Sequence, residues 1–105
     1  MKRTPLRRTR MRPWRRKAED RVTPAVANYV LARDNGCVGI TLDLEGPCDG
    51  RLELDHVDNG GLGKRGPSTA DNLVSLCSAH HFKKTNDARA IRPLLRGYLD
   101  RVEGT

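Results

Sequence analysis

The sequence predicts a small α+β domain closed by a structural metal and preceded by a basic arm. Three observations lead there. Two short extended segments, around Leu52–Val57 and Asn72–Leu76, lie between stretches with helical signals. A Cys77-x-x-His80 pair stands where the second segment meets a helix, with two further cysteines upstream. The apolar content is thin, with only four aromatic residues, Trp14, Tyr29, Phe82 and Tyr98, in 105. One domain plus tails is what this length holds, and a core this small needs a staple. Three cysteines leave one unpaired in any disulfide scheme, which beside histidines favours metal ligation in a reducing compartment. No apolar run reaches membrane-spanning length and no signal-peptide core follows the first charges, so a cytoplasmic protein with no membrane partner is expected.

Taken in order, residues 1–22 form the arm, expected to be disordered. Residues 1–21 carry ten basic side chains against two acidic ones, a net +8, while the other 84 residues carry ten against eleven. The whole excess of the +7 net charge therefore sits in the arm, as in an electrostatic nucleic-acid tether; Arg15 and Arg16 flank Trp14, which can stack on a base. A solubilising tail is the plain alternative. Thr23-Pro24 supplies an N-cap and a first-turn proline, and Asn35-Gly36 a stop, which predicts a helix over 24–34. Residues 37–50 form a loop or irregular hairpin with turns at Glu45-Gly46-Pro47 and Asp49-Gly50. Residues 51–57 form a strand with Leu52 and Leu54 on its apolar face, 58–71 a polar, glycine-rich loop, and 72–76 a second extended stretch. A helix follows from about Ser78 to Ala90. Pro93 is expected to interrupt it before a last helix over about 94–102, with Leu95, Leu99 and Val102 on one stripe.

Cys77 and His80 are one helical turn apart, so a thiolate and an imidazole can converge on one ion. Cys37 and Cys48 complete a Cys3His zinc set. Ten residues separate them, more than the two to four of ordinary zinc knuckles, so loop 38–47 must fold back through Gly39, Gly46 and Pro47. Two other arrangements fit the same residues: three buried free cysteines, or a site whose fourth ligand is not His80.

A second cluster has different chemistry. Asp55 and His56 end the first strand, and His81 follows the expected zinc ligand. Neighbouring helix residues point about 100° apart, so His80 can face the zinc while His81 faces the strand. Asp55 and His81 would hold a divalent ion against a phosphate oxygen. Neutral His56, with an ordinary pKa of about 6.5, suits deprotonation of a water. Asn72 can hydrogen-bond across the cleft to fix the loop or orient His56. In a regular strand Asp55 and His56 point to opposite faces, so the strand must end, twist or bulge there. Other motifs fail. A phosphate-binding loop at Gly63-Lys64 lacks the required Gly at 58 and Ser or Thr at 65, an EF-hand lacks alternate oxygen ligands, and HExxH is absent.

The string Leu54-Asp55-His56, Asn72 through Cys77, and His80-His81-x-x-Lys84 resembles the HNH endonuclease family over about residues 37–86. The resemblance implies a ββα-metal fold, His56 as general base, Asn72 as the middle residue, His81 as a metal ligand and Asp55 as the acidic ligand. His80 stands where many members have cysteine. The short chain, its basic proline-containing start and the Gly-Pro-Cys at residue 48 are similar to small bacteriophage HNH proteins. That implies a host-cytoplasmic setting and, as partners, terminase or portal proteins of genome packaging. The implied cofactors are structural Zn2+ and a catalytic Mg2+ or Mn2+, with Ni2+ or Zn2+ as alternatives.

DNA is the expected substrate, nicked with weak sequence specificity by a monomer or weak dimer. Lys83, Lys84 and Arg89 on the His81 helix and Lys64 and Arg65 in the preceding loop are its candidate phosphate contacts. The rival readings are a zinc-containing nucleic-acid-binding module without turnover and a phage-assembly accessory protein. Binding indifferent to His56 would mark the first, and co-purification with a large partner the second.

Overall fold

The computed structural model describes residues 21–59 and 66–104. The expected disorder of the arm, and the candidate contacts Arg15, Arg16, Lys64 and Arg65, lie outside the described residues. Helix α1 spans Pro24–Asp34, and a single helical turn spans Val38–Thr41. Strand β1 (Leu52–His56) is followed by a 3-10 turn (Ala70–Asn72) and strand β2 (Leu73–Cys77). Helices α2 (Ser78–Asn86) and α3 (Ala88–Glu103) complete the chain. Among the described residues the result is a small α+β fold with three helices of two turns or more and a two-stranded antiparallel sheet.

The boundaries of α1 follow its caps. The Thr23 hydroxyl accepts from the Val26 N–H at 3.2 Å, and Pro24 occupies the first turn, where no N–H is needed. Asn35 (φ 50°) and Gly36 (φ 115°) then turn the chain through left-handed geometry that stops the helix.

The sheet pairs Leu52 with Cys77 and His56 with Leu73, with no bulge between. The face of β1 differs from expectation. Leu52 is 46% exposed, whereas Asp55 and Val57 on the opposite face are buried. That face meets α2, which presents His81 and Lys84 to it, so Asp55 is drawn inward while Leu52 is left outside and Leu54 is half-buried at the cleft.

The core lies between the sheet and α3. Ile91, Leu95, Tyr98 and Leu99, spaced as one helical stripe, pack with Val57, Val74 and Leu76 and with Cys37, Val38 and Cys77. This stripe explains two further differences from the sequence reading. The helical region breaks at Asp87 (φ −139°, ψ 48°) rather than at Pro93, which lies inside α3. Pro93 removes one N–H donor from the helix, but the buried stripe runs across it on both sides, and its packing outweighs one lost hydrogen bond. Arg89 consequently belongs to α3 and not to the helix that carries His81.

The edge of β2 that faces away from β1 is closed by side chains from a short stretch of chain. Arg33 donates to the Leu73 carbonyl at 2.7 Å, the Asp34 carboxylate accepts from the Ser75 N–H at 2.8 Å, and the Cys37 sulfur accepts from the Cys77 N–H at 3.3 Å. Asp34 also accepts from the Tyr98 hydroxyl at 2.6 Å and pairs with Arg33 at 2.7 Å. Arg33 reaches the Ala70 carbonyl and Glu103 as well. One buried ion pair thus ties α1, β2 and α3 together. Loss of hydration, then the hydrogen bond to Asp34, pushes the Tyr98 phenol up to about 12.

Candidate metal centre and the adjoining cleft

Cys37, Cys48, Cys77 and His80 bring one ligand atom each to within 4.8 Å of one another, a group that could hold a metal ion. Three elements supply them: the N-caps of the 38–41 turn and of α2 give Cys37 and Cys77, and the return loop gives Cys48. The three sulfurs stand 3.4, 3.6 and 3.3 Å from His80 Nδ1. A tetrahedral zinc with ordinary Zn–S and Zn–N bonds has sulfur–nitrogen edges of about 3.5 Å. His80 Nε2 donates to the Gly46 carbonyl at 2.9 Å, and the Glu45 carbonyl is also within reach. That hydrogen bond places the ring proton on Nε2 and leaves the Nδ1 lone pair for an ion. The donor set is consistent with a structural zinc.

The long Cys37–Cys48 loop folds back through the helical turn and through positive φ angles at Asp43 (55°) and Gly46 (90°). Gly39 permits the closure. A Cβ there would lie 2.6 Å from the His80 ring. Backbone N–H groups of Gly39 and Cys77 point at the Cys37 sulfur, and that of His80 at the Cys77 sulfur. Burial works against the Cys77 thiolate, but backbone hydrogen bonds involving His80 and Asp49, with those of the neighbouring thiols, bring it down to about 6. Desolvation, then the adjoining Cys37 and Cys77 sulfurs, pushes Cys48 up to about 12.

One residue along α2, His81 turns toward β1. Its Nε2 lies 3.1 Å from Asp55 Oδ1 and its Nδ1 2.6 Å from Glu53 Oε1. Lys84, one turn further on, is buried; its ammonium stands 3.2 Å from Asp55 Oδ2 and 3.1 Å from the His56 carbonyl oxygen. The Lys84 contact to Oδ2 is an ion pair without hydrogen-bond direction, and this buried carboxylate oxygen has no hydrogen-bond donor among the described residues. Asp55, His56, His81 and Lys84 line one cleft of about 420 Å3, with Thr85, Ala88 and Arg92 along its helical wall and Val22 at the start of the described chain. β1 stays in regular register through Asp55 and His56, opposite Val74 and Leu73, and both residues nonetheless line this cleft at the strand's end. The His56 imidazole lies 2.9 Å from the Ser68 hydroxyl.

Asn72 clasps the loop that flanks this cleft. Its amide donates to the Asp58 and Pro67 carbonyls and accepts from the Asp58 N–H and from Arg96. A Cβ at Gly66 would collide with the Asp58 carbonyl and crowd the Asn72 amide, so the closure requires glycine there. Lys83 pairs loosely with Glu45 at 3.5 Å beside the metal centre, and Arg89 is exposed on α3. Glu53 escaped the sequence reading, although it stands two residues before Asp55, hence on the same strand face. Its carboxyl is held below the usual range, chiefly by the His81 hydrogen bond and then by Ser78. Arg92 and Arg96 carried no sequence signal, since only the fold brings α3 to this loop.

No family model, no curated protein and no solved structure matches this chain.

Proposed function

We propose that the protein is a divalent-metal-dependent endonuclease of the HNH type, hydrolysing DNA phosphodiesters on a zinc-stapled ββα-metal core. The observation that carries this reading is the contact of Asp55 with His81 in a cleft shared with His56, beside but separate from the Cys3His group. A purely structural zinc module has no use for a second cluster with this donor set.

The residues fit a hard or borderline divalent ion. Asp55 has a buried oxygen without a directed donor, and Glu53 holds His81 by Nδ1, which turns Nε2 toward Asp55. When bound there, such an ion supplies Lewis-acid stabilisation of charge on the phosphate and on the departing 3′ oxygen. The chain's own groups do the rest. His56 accepts the proton of the attacking water on its imidazole. Lys84 holds Asp55 in place and, through the His56 carbonyl, fixes the end of β1. Asn72 ties the Asp58 backbone to the Pro67 carbonyl beside the end of β1. The basic arm supplies affinity without base readout, which fits weak sequence specificity.

Supercoiled-plasmid nicking tests the proposal. Wild type is expected to nick with Mg2+ or Mn2+, and His56→Ala, equally folded and zinc-loaded, is expected to lose at least a hundredfold in rate, in line with about 10²–10⁴ for a general base. Equal nicking by both proteins would overturn the assignment, and a folded, zinc-loaded wild type that never nicks would return the chain to a binding role.

A further inference from the structure

The cleft contains two cations, and they are not equivalent. The Lys84 side chain is 8% exposed and already committed to both Asp55 oxygens and the His56 carbonyl. It is occupied in holding the site together and cannot also reach outward to a ligand. Arg92 lines the same cleft from α3 with a side chain 38% exposed. Its buried Nε has no hydrogen-bond partner among the described residues and makes only a long ion pair with Asp58 Oδ1, at 4.0 Å. The other oxygen of Asp58, Oδ2, is held by Arg96 at 2.6 and 3.1 Å.

The wall on which Arg92 sits is built for approach from outside. His81, Thr85, Ala88 and Arg92 follow one another at helical spacings of four, three and four across the α2–α3 break. Thr85 and Ala88 are small and leave the floor low between the metal-binding pair and the guanidinium. A planar fork of N–H donors at the end of such a wall matches the oxygens of a phosphodiester. Val22 lines the same cleft, and the basic Arg21 immediately precedes it.

We propose that Arg92 is a phosphate-binding residue of this cleft, gripping a backbone phosphate of duplex DNA that flanks the scissile one. The proposal rests on the nuclease reading for the identity of the substrate, and its test separates the two. Binding of a fluorescently labelled duplex by zinc-loaded full-length protein is followed by anisotropy over a range of salt, without added Mg2+ or Mn2+. Arg92→Gln is expected to weaken binding about tenfold at low salt and to reduce the slope of log K against log[salt] by about one. Arg92→Glu is expected to weaken it further. Arg92→Lys is expected to keep the slope while losing part of the affinity, because charge survives and the fork does not. Arg101→Gln removes the same charge from an exposed position in the last turn of α3 and is expected to leave the slope unchanged. An unaltered slope in Arg92→Gln, or an equal fall in Arg101→Gln, overturns the role of Arg92 even if the wild type nicks DNA. A wild type that binds with the expected Arg92 dependence but never nicks supports the subsite and refutes the nuclease.

Discussion

Asp34→Ala puts the architecture of this fold to a quantitative test. The carboxylate is fully buried as a side chain and is shared by Arg33, the Tyr98 hydroxyl and the Ser75 N–H. Truncation leaves two buried neutral donors without an acceptor, at about 1–3 kcal/mol each. It also removes the partner of a guanidinium whose side chain is only 8% exposed, and breaking buried pairs in this way costs about 3–5 kcal/mol in total. Arg33 keeps the carbonyls of Ala70 and Leu73 and the Glu103 carboxylate, so the lower part of that range applies. A loss of about 3 kcal/mol is expected, a large share of the stability of a domain this size. The assay is urea unfolding of zinc-loaded protein, followed by circular dichroism. Adding Tyr98→Phe to Asp34→Ala removes one orphaned donor, so the double variant is expected to be more stable than the sum of the single effects by about 1 kcal/mol or more. A single-variant loss under about 1 kcal/mol, or strict additivity, would refute the assignment of this pair as the clasp between α1, β2 and α3.

Cys77→Ser is expected to abolish zinc binding at the Cys3His group and to leave the domain unfolded, since zinc binding contributes about 10 kcal/mol or more in small modules; metal analysis with circular dichroism checks this, and a native-like melt would remove zinc from the account of stability. Glu53→Gln is expected to weaken Mn2+ binding at the Asp55–His81 pair by about 10–100-fold with little change in zinc content, read by calorimetry on zinc-loaded protein. Tyr98 supplies a pH signature. Its phenol is raised from the ordinary 10 to about 12 in the folded state, so its contribution is fully present below pH 10 and is lost as pH rises through 12. Wild type should therefore lose more stability than Tyr98→Phe over that window in parallel urea titrations, and matching curves would contradict the buried hydrogen bond to Asp34.

Local signals carried the sequence reading furthest. Thr23-Pro24 and Asn35-Gly36 bound α1 because capping depends on the residues themselves. The Cys3His set was legible because its chemistry singles out four side chains, even across a loop whose path was not. What escaped depends on packing between distant segments. Nothing local marks Asp34 as the partner of Tyr98, 64 residues away. Pro93 carries a strong helix-breaking propensity, yet the stripe from Ile91 to Leu99 overrides it by burial. Leu52 and Leu54 do share one face of β1, but nothing local showed that Asp55 on the other face is buried against a histidine and a lysine of α2 while Leu52 stays exposed. Lys84 shows the same limit from the other side: its charge and spacing were readable, while its burial against Asp55 was not.

The closure of β2 by Arg33, Asp34 and Cys37 also bears on how copies of this chain can meet. An uncovered strand edge is a template on which another chain can add a strand, the usual route to edge-to-edge aggregates and domain-swapped oligomers. Here the Leu73 carbonyl and the Ser75 and Cys77 N–H groups on that edge of β2 are already taken by side chains of the same molecule. Sheet extension on that side is blocked as long as the clasp and the Cys37 contact hold. Cys37 belongs both to this closure and to the candidate metal group, so replacing it would open the Cys77 end of the strand and let self-association begin beside that group.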